Sequence, residues 1–171
     1  MELARIHYLD ASVIVKLLIP EKGSGVLERY FSKESSKGDM FYATILCFVE
    51  ALTVLKRKHF YDKIPISDEE YFGACDHLFA HAKHNTIEIE NVGIEDRMVF
   101  TEVENLARKH KIDVSDAFQI VSVKKNYFSQ PEFQSKPILI TADKPLADAA
   151  RKEKIHVWYC VDEPEPKVLK A

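Results

Sequence analysis

Short apolar runs alternate along the chain with stretches whose apolar positions recur every three or four residues, a pattern that predicts strands and helices in turn. The first run, Ile6-His7-Tyr8-Leu9, is a strand that stops at Asp10. Ser12 then introduces a helix over Val13–Ile19 that Pro20 ends. After the break at Gly23-Ser24-Gly25, Val26, Leu27, Tyr30 and Phe31 repeat at helical spacing until Ser35–Gly38. Phe41-Tyr42 is a brief strand, and from Ala43 to about His59 a helix is apolar on nearly every face before turning basic at Lys56, Arg57 and Lys58. Ser67 and Glu70 form a capping box that opens a helix to about His84. Thr86–Ile89 alternates like a strand, Ile94–His110 is an amphipathic helix, and a further helix runs from Val114 to about Asn126. Tyr127–Pro137 is the best loop candidate. Ile138–Thr141 is a strand leading into a helix from about Pro145 to Lys152, Ile155–Cys160 is a last strand, and Val161–Ala171, with Pro164 and Pro166, is a loose tail.

Strands that alternate with helices imply an α/β fold, a three-layer α/β/α sandwich around a mostly parallel sheet. In such sheets ligands bind at the carboxyl ends of the strands. A chain of 171 residues is the size of one domain, here residues 1–160 followed by the tail at 161–171. The net charge of −3 excludes a globally basic footprint, so any contact with nucleic acid must rest on local charge. Cys47, Cys75 and Cys160 form no C-x-x-C pair, which points to a reducing compartment, the cytoplasm. The first residues lack the pattern of a secretory leader. The longest apolar-rich stretch, Met40–Leu55, is interrupted by Glu50 and falls short of the roughly 20 residues of a membrane span.

Four carboxylates stand beside apolar runs, where an isolated charge is expensive to bury. Asp10 and Asp143 follow two strands and would project at the carboxyl edge of a parallel sheet. Glu50 interrupts the apolar run from Ile45 to Leu52, and Asp116 precedes Ala117-Phe118-Gln119-Ile120-Val121 near a helix start. Each aspartate has an ordinary alternative as a helix cap: Asp10, Asp143, or Asp116 with Asp113 in a capping box. Glu50, in mid-helix, has none, and a buried glutamate needs a cation, a proton or a strong donor. Clustered carboxylates repel one another, and a hard divalent cation, Mg²⁺ or Mn²⁺, removes that penalty. Such a site suits metal-assisted hydrolysis of a phosphodiester, with Ser12 and Thr141, each two residues from an aspartate, as hydroxyls near the metal waters. His77, His81 and His84 fall at helical spacing but read better as a solvated face than as zinc ligands. Gly23-Ser24-Gly25 lacks the remainder of a phosphate-binding loop. In Asp10-Ala11-Ser12 a serine stands where aspartyl-phosphate enzymes carry a second aspartate.

The segments Tyr8-Leu9-Asp10-Ala11-Ser12-Val13-Ile14-Val15-Lys16, Phe48-Val49-Glu50-Ala51, Asp116-Ala117 and Thr141-Ala142-Asp143-Lys144-Pro145-Leu146-Ala147 resemble, in type and order, the pattern of PIN-domain nucleases. Over about residues 5 to 160 the chain is most similar to the VapC-type toxins of toxin–antitoxin pairs. The resemblance implies a Mg²⁺- or Mn²⁺-dependent ribonuclease that works as a homodimer, takes RNA as substrate, and is inhibited by an antitoxin protein filling its groove. By position, Asp10, Glu50, Asp116 and Asp143 would hold the metal, with Ser12 and Thr141 accessory. The alternative is a PIN-fold module that binds RNA or a protein without cutting. Lys16, Arg57, Lys124, Lys125 and Lys144 are candidate phosphate contacts.

Overall fold

Strands buried at every position, as Ile6–Leu9 and Ile138–Thr141 are, need cover on both faces, and helices provide it in the computed structural model, which describes residues 5–129 and 137–166. Strands β1 (Ile6–Leu9), β2 (Met40–Thr44), β3 (Glu88–Glu90), β4 (Ile138–Thr141) and β5 (His156–Tyr159) form one sheet in the order β3-β2-β1-β4-β5. Every pairing is parallel. The helices are α1 (Ala11–Leu18), α2 (Ser24–Ser35), α3 (Ile45–Phe60), α4 (Asp68–Lys83), α5 (Arg97–His110), α6 (Val114–Ser129) and α7 (Lys144–Lys152). The architecture is the expected α/β/α sandwich. None of the helices among the described residues is long and apolar enough to cross a membrane.

The strand period of two distributes side chains between two cores. Leu9, Phe41, Ala43, Ile138, Ile140 and Trp158 point to a core shared with α1, α2, α3 and α4. Ile6, Tyr8 and Leu139 point the other way, to a core shared with α5, α6 and α7. His7 is fully buried on the first side, stacked on Phe41 at 4.7 Å between ring centres and bonded through Nε2 to the Tyr30 hydroxyl at 2.9 Å. Burial pushes its pKa down to about 4 and keeps the ring neutral.

Local chemistry moves several boundaries from their expected places. α1 begins at Ala11, before Ser12, because the Ser12 hydroxyl turns back to the Asp10 carboxylate. Thr44 ends β2 and caps α3, accepting from the Cys47 N–H at 3.2 Å, so that helix begins at Ile45 and not at Ala43. Thr86 is held in a turn by His81, its hydroxyl bonded to the ring at 2.8 Å, and β3 therefore starts at Glu88. Asp96 caps α5 after a turn at Gly93, whose φ is 62°, delaying that helix from Ile94 to Arg97. The capping box of Ser67 and Glu70 forms as expected. The loop expected over Tyr127–Pro137 begins later, since α6 continues to Ser129. Residues 130–136 of it lie outside the described residues, as do 167–171 of the tail. The described part of the tail is tied down and not loose. Arg151 holds the Glu163 carboxylate at 2.6 Å, and the Trp158 ring N–H donates to the Glu163 carbonyl at 3.1 Å.

Glu153, just past α7, fastens α5 and α6 to that end of the sandwich. Its Oε1 takes Lys109 and His110, both at 2.7 Å, and its Oε2 takes Lys124 at 3.4 Å. These donors pull its carboxyl pKa from 4.5 down to about 2. A depressed carboxyl pKa stabilises the fold fully above the unfolded value and loses that contribution as pH falls through the folded one. Glu153→Gln is therefore expected to cost about 2 kcal/mol at pH 7. In urea unfolding followed by circular dichroism, the gap from wild type should shrink steadily below pH 4.5.

Candidate active site

The chain leaves β1 toward β2 on one side and comes back to β4 on the other, so β1 and β4 flank the point where the strand order reverses. A crevice opens at the carboxyl ends of strands at such a point. Asp10 and Asp143, which follow these two strands, share its rim as the sequence predicts. The Asp10 N–H still donates to Ile140 at 3.1 Å, extending the β1–β4 pairing by one residue.

Asp10 occupies the N-cap position of α1, yet its side chain caps nothing. Only 4% exposed, its carboxylate takes three side-chain donors instead. Oδ2 accepts from the hydroxyls of Ser12 and Thr141, the latter at 2.8 Å, and Oδ1 accepts from Gln119 Nε2 at 3.0 Å. The hydroxyls are fixed in turn. Ser12 Oγ accepts from the Ala142 N–H at 3.0 Å and Thr141 Oγ1 from the Asp143 N–H at 2.9 Å. A carboxylate offers about four lone-pair sites, so three donors leave room for one more partner. Asp143 does act as a cap, accepting from the Leu146 N–H at 2.8 Å. For this residue the ordinary explanation holds, and the side chain lines the crevice as well.

The crevice is a cavity of about 300 Å³ lined by Asp10, Ser12, Glu50, Asp113, Asp116 and Asp143, among others. It brings together the four nominated carboxylates and Ser12. Thr141 is fully buried and reaches the cavity only through Asp10. Glu50 differs from expectation in its surroundings. It is exposed at the cavity, not buried in the core, because α3 turns its Ile45, Val49 and Glu50 side outward, with Ile45 41% and Val49 53% exposed.

Crowding shows in the proton affinities. Partial burial, followed by repulsion from Asp10, Asp143, Glu50 and Asp113, pushes the Asp116 carboxyl from 3.8 up to about 7. Glu50 is also raised, first by burial and then by Asp10 and Asp113, with the Ser115 hydroxyl pulling the other way. Asp113 and Gln119 are the residues that sequence reasoning misses. Asp113 enters that reasoning only as a capping partner, although its spacing of three from Asp116 at a helix start places both near one site. Gln119 is a polar residue in an apolar run one turn beyond Asp116, the same signal that singles out Glu50. It is 2% exposed, and its Oε1 has no hydrogen-bond partner among the described residues.

An all-oxygen donor set suits a hard cation such as Mg²⁺ or Mn²⁺. Among the described residues no three His, Cys, Asp or Glu side chains converge as a ready ligand set. The chemistry therefore fits a cation that keeps much of its water shell and takes one or two carboxylates directly, as Mg²⁺ commonly does. The residues available to hold it are Asp10, Glu50, Asp116 and Asp143, with Asp113 beside them. His81 is engaged by Thr86, while His77 and His84 are exposed.

A carboxyl whose folded pKa is raised destabilises the fold increasingly as pH climbs from the unfolded value to the folded one. In metal-free protein, Asp116→Asn should raise the melting temperature at pH 8 by roughly 3 to 8 °C. The gain should fade toward pH 4, which differential scanning calorimetry across that range would check. No protein-family model matches the chain, and a search of the curated proteins finds no match to it.

Proposed function

We propose that this protein is a divalent-cation-dependent endoribonuclease of the PIN type that hydrolyses RNA phosphodiester bonds. The observation that carries the proposal is the gathering of Asp10, Glu50, Asp113, Asp116 and Asp143 around one cavity at the reversal point of a parallel sheet. These carboxylates come from four separate stretches of the chain, and their crowding, together with burial, pushes Asp116 and Glu50 toward the protonated form, so a fold selected for stability alone would not collect them. Mg²⁺ or Mn²⁺ held there would offset the repulsion, neutralise phosphate charge and acidify an attacking water.

The chain's own residues divide the remaining work. Ser12, Thr141 and Gln119 fix the orientation of the Asp10 carboxylate, and a preset ligand need not be ordered when the cation arrives. Asp116, with its pKa pushed up to about 7 in the metal-free protein, is the carboxyl whose proton an arriving cation would displace. RNA as the polymer, a homodimer and control by an antitoxin protein are what the resemblance to VapC-type toxins implies, and a cytoplasmic setting is what the three cysteines without a C-x-x-C pair imply. The rival reading, a module that binds RNA or protein without cutting, has in its favour that no three metal-binding side chains converge among the described residues.

Structured RNAs and single-stranded DNA incubated with wild type in Mn²⁺, Mg²⁺ or EDTA, beside Asp10→Asn, separate the two. The proposal expects metal-dependent cutting of RNA that falls by at least 100-fold in the variant. Cutting that persists in EDTA or in Asp10→Asn contradicts it, and RNA retention without any cutting favours the rival.

A further inference from the structure

The cavity also has a cationic side to which the proposed hydrolysis gives no role. On α3, Glu50, Val54, Arg57 and Lys58 line it at spacings of four, seven and eight residues, one face of a helix. Arg57 therefore stands about 10 Å further along the helix axis than Glu50. Lys16 of α1 joins it. Lys16 and Lys58 are engaged by a single acid. Glu21, in the connection between α1 and α2, receives Lys58 on Oε1 at 2.6 Å and Lys16 on Oε2 at 3.1 Å. The backbone sets Glu21 in place: its N–H donates to Ser24 Oγ at 2.9 Å, and Gly23 turns the loop with a φ of 94°. The two lysines hold the Glu21 carboxyl below its ordinary proton affinity against the opposing effect of burial.

Arg57 is exposed to the cavity and has no ion-pair partner among the described residues. A chain of net charge −3 has no shortage of acids, and several line this same cavity, so an unpaired guanidinium here is not a consequence of bulk charge. Its planar fork matches the two free oxygens of a phosphodiester. Two lysines sharing one carboxylate leave a net positive charge at a spot where one phosphate can replace that carboxylate without changing the local charge balance.

We propose that Lys16, Arg57 and Lys58 form a subsite for a phosphodiester of a single-stranded RNA substrate, and that Glu21 is its internal competitor, occupying the lysines until a phosphate displaces it. The subsite rests on the ribonuclease reading for the identity of the strand. Its cations select a phosphate next to the cleavage site and not the scissile one, and Glu21 lowers the affinity of the resting protein for RNA.

The test is fluorescence anisotropy of a labelled single-stranded RNA of about ten nucleotides, in EDTA, so that binding is read without cleavage. Arg57→Ala is expected to weaken binding 5- to 10-fold and to reduce the slope of log K against log salt by about 0.7, one phosphate contact on a single strand. Glu21→Gln should tighten binding at least 3-fold. Glu21→Gln combined with Lys58→Met should lose that gain, and Glu104→Gln, on the exposed side of α5, should show none. Urea unfolding confirms that each variant folds. Arg57 is exposed, so its variant tests the subsite even if Glu21→Gln proves unstable. Unchanged binding in Arg57→Ala, no gain in a folded Glu21→Gln, or an equal gain in Glu104→Gln would overturn the proposal. RNA binding that follows these expectations in a protein that never cuts would leave the subsite standing and remove the nuclease.

Discussion

A carboxylate closed off from water at the end of the central strand is the constraint around which this fold is arranged. Burying such a group without partners would cost several kcal/mol, so Asp10 requires donors, and they come from three separate parts of the chain. Ser12 comes from α1, Thr141 from β4 and Gln119 from α6. Their hydroxyls are themselves anchored to the backbone of Ala142 and Asp143. A slip of β4 by one residue would move Thr141 to the other face of the sheet and leave Asp10 short of a partner. The register of the β1–β4 pair, the entry into α1 and the seating of α6 are thus tied to one side chain.

That arrangement fixes where the tension in the molecule lies. With Asp10 held in place, Asp116 and Glu50 meet it across the crevice, and both are pushed toward the protonated form. Glu153, by contrast, is matched with Lys109, His110 and Lys124. What separates the crevice from such a fastening is the convergence of several carboxylates on one cavity. Gln119 belongs with this set: its amide N–H donates to Asp10, and its buried Oε1 has no partner among the described residues.

Much of this was legible in the sequence. The five strands and the layering follow from apolar periodicity, and Asp10 and Asp143 follow from where two of the strands stop. Glu50 reached the right place on the wrong grounds. Apolar neighbours suggest burial, but a helix that carries Ile45 and Val49 at its surface can carry a glutamate beside them. Asp113 and Gln119 escaped because periodicity assigns faces and not partners. Gln119 lies 109 residues from the carboxylate it holds, a pairing that only the closed sheet creates. The late starts of α5 and β3 are set by side-chain bonds from Asp96 and Thr86, which compete locally with the pattern of apolar positions.

An acidic crevice that uses a divalent cation on RNA must first bind that cation. Calorimetric titration of Mn²⁺ into metal-free protein at pH 8 measures this binding without any substrate. Saturable binding is expected, weakened at least 10-fold in Asp10→Asn and in Glu50→Gln, while Glu153→Gln, at the matched acid, binds as wild type does. Absence of saturable binding at millimolar Mn²⁺, or equal binding in all four proteins, would contradict the proposed metal site.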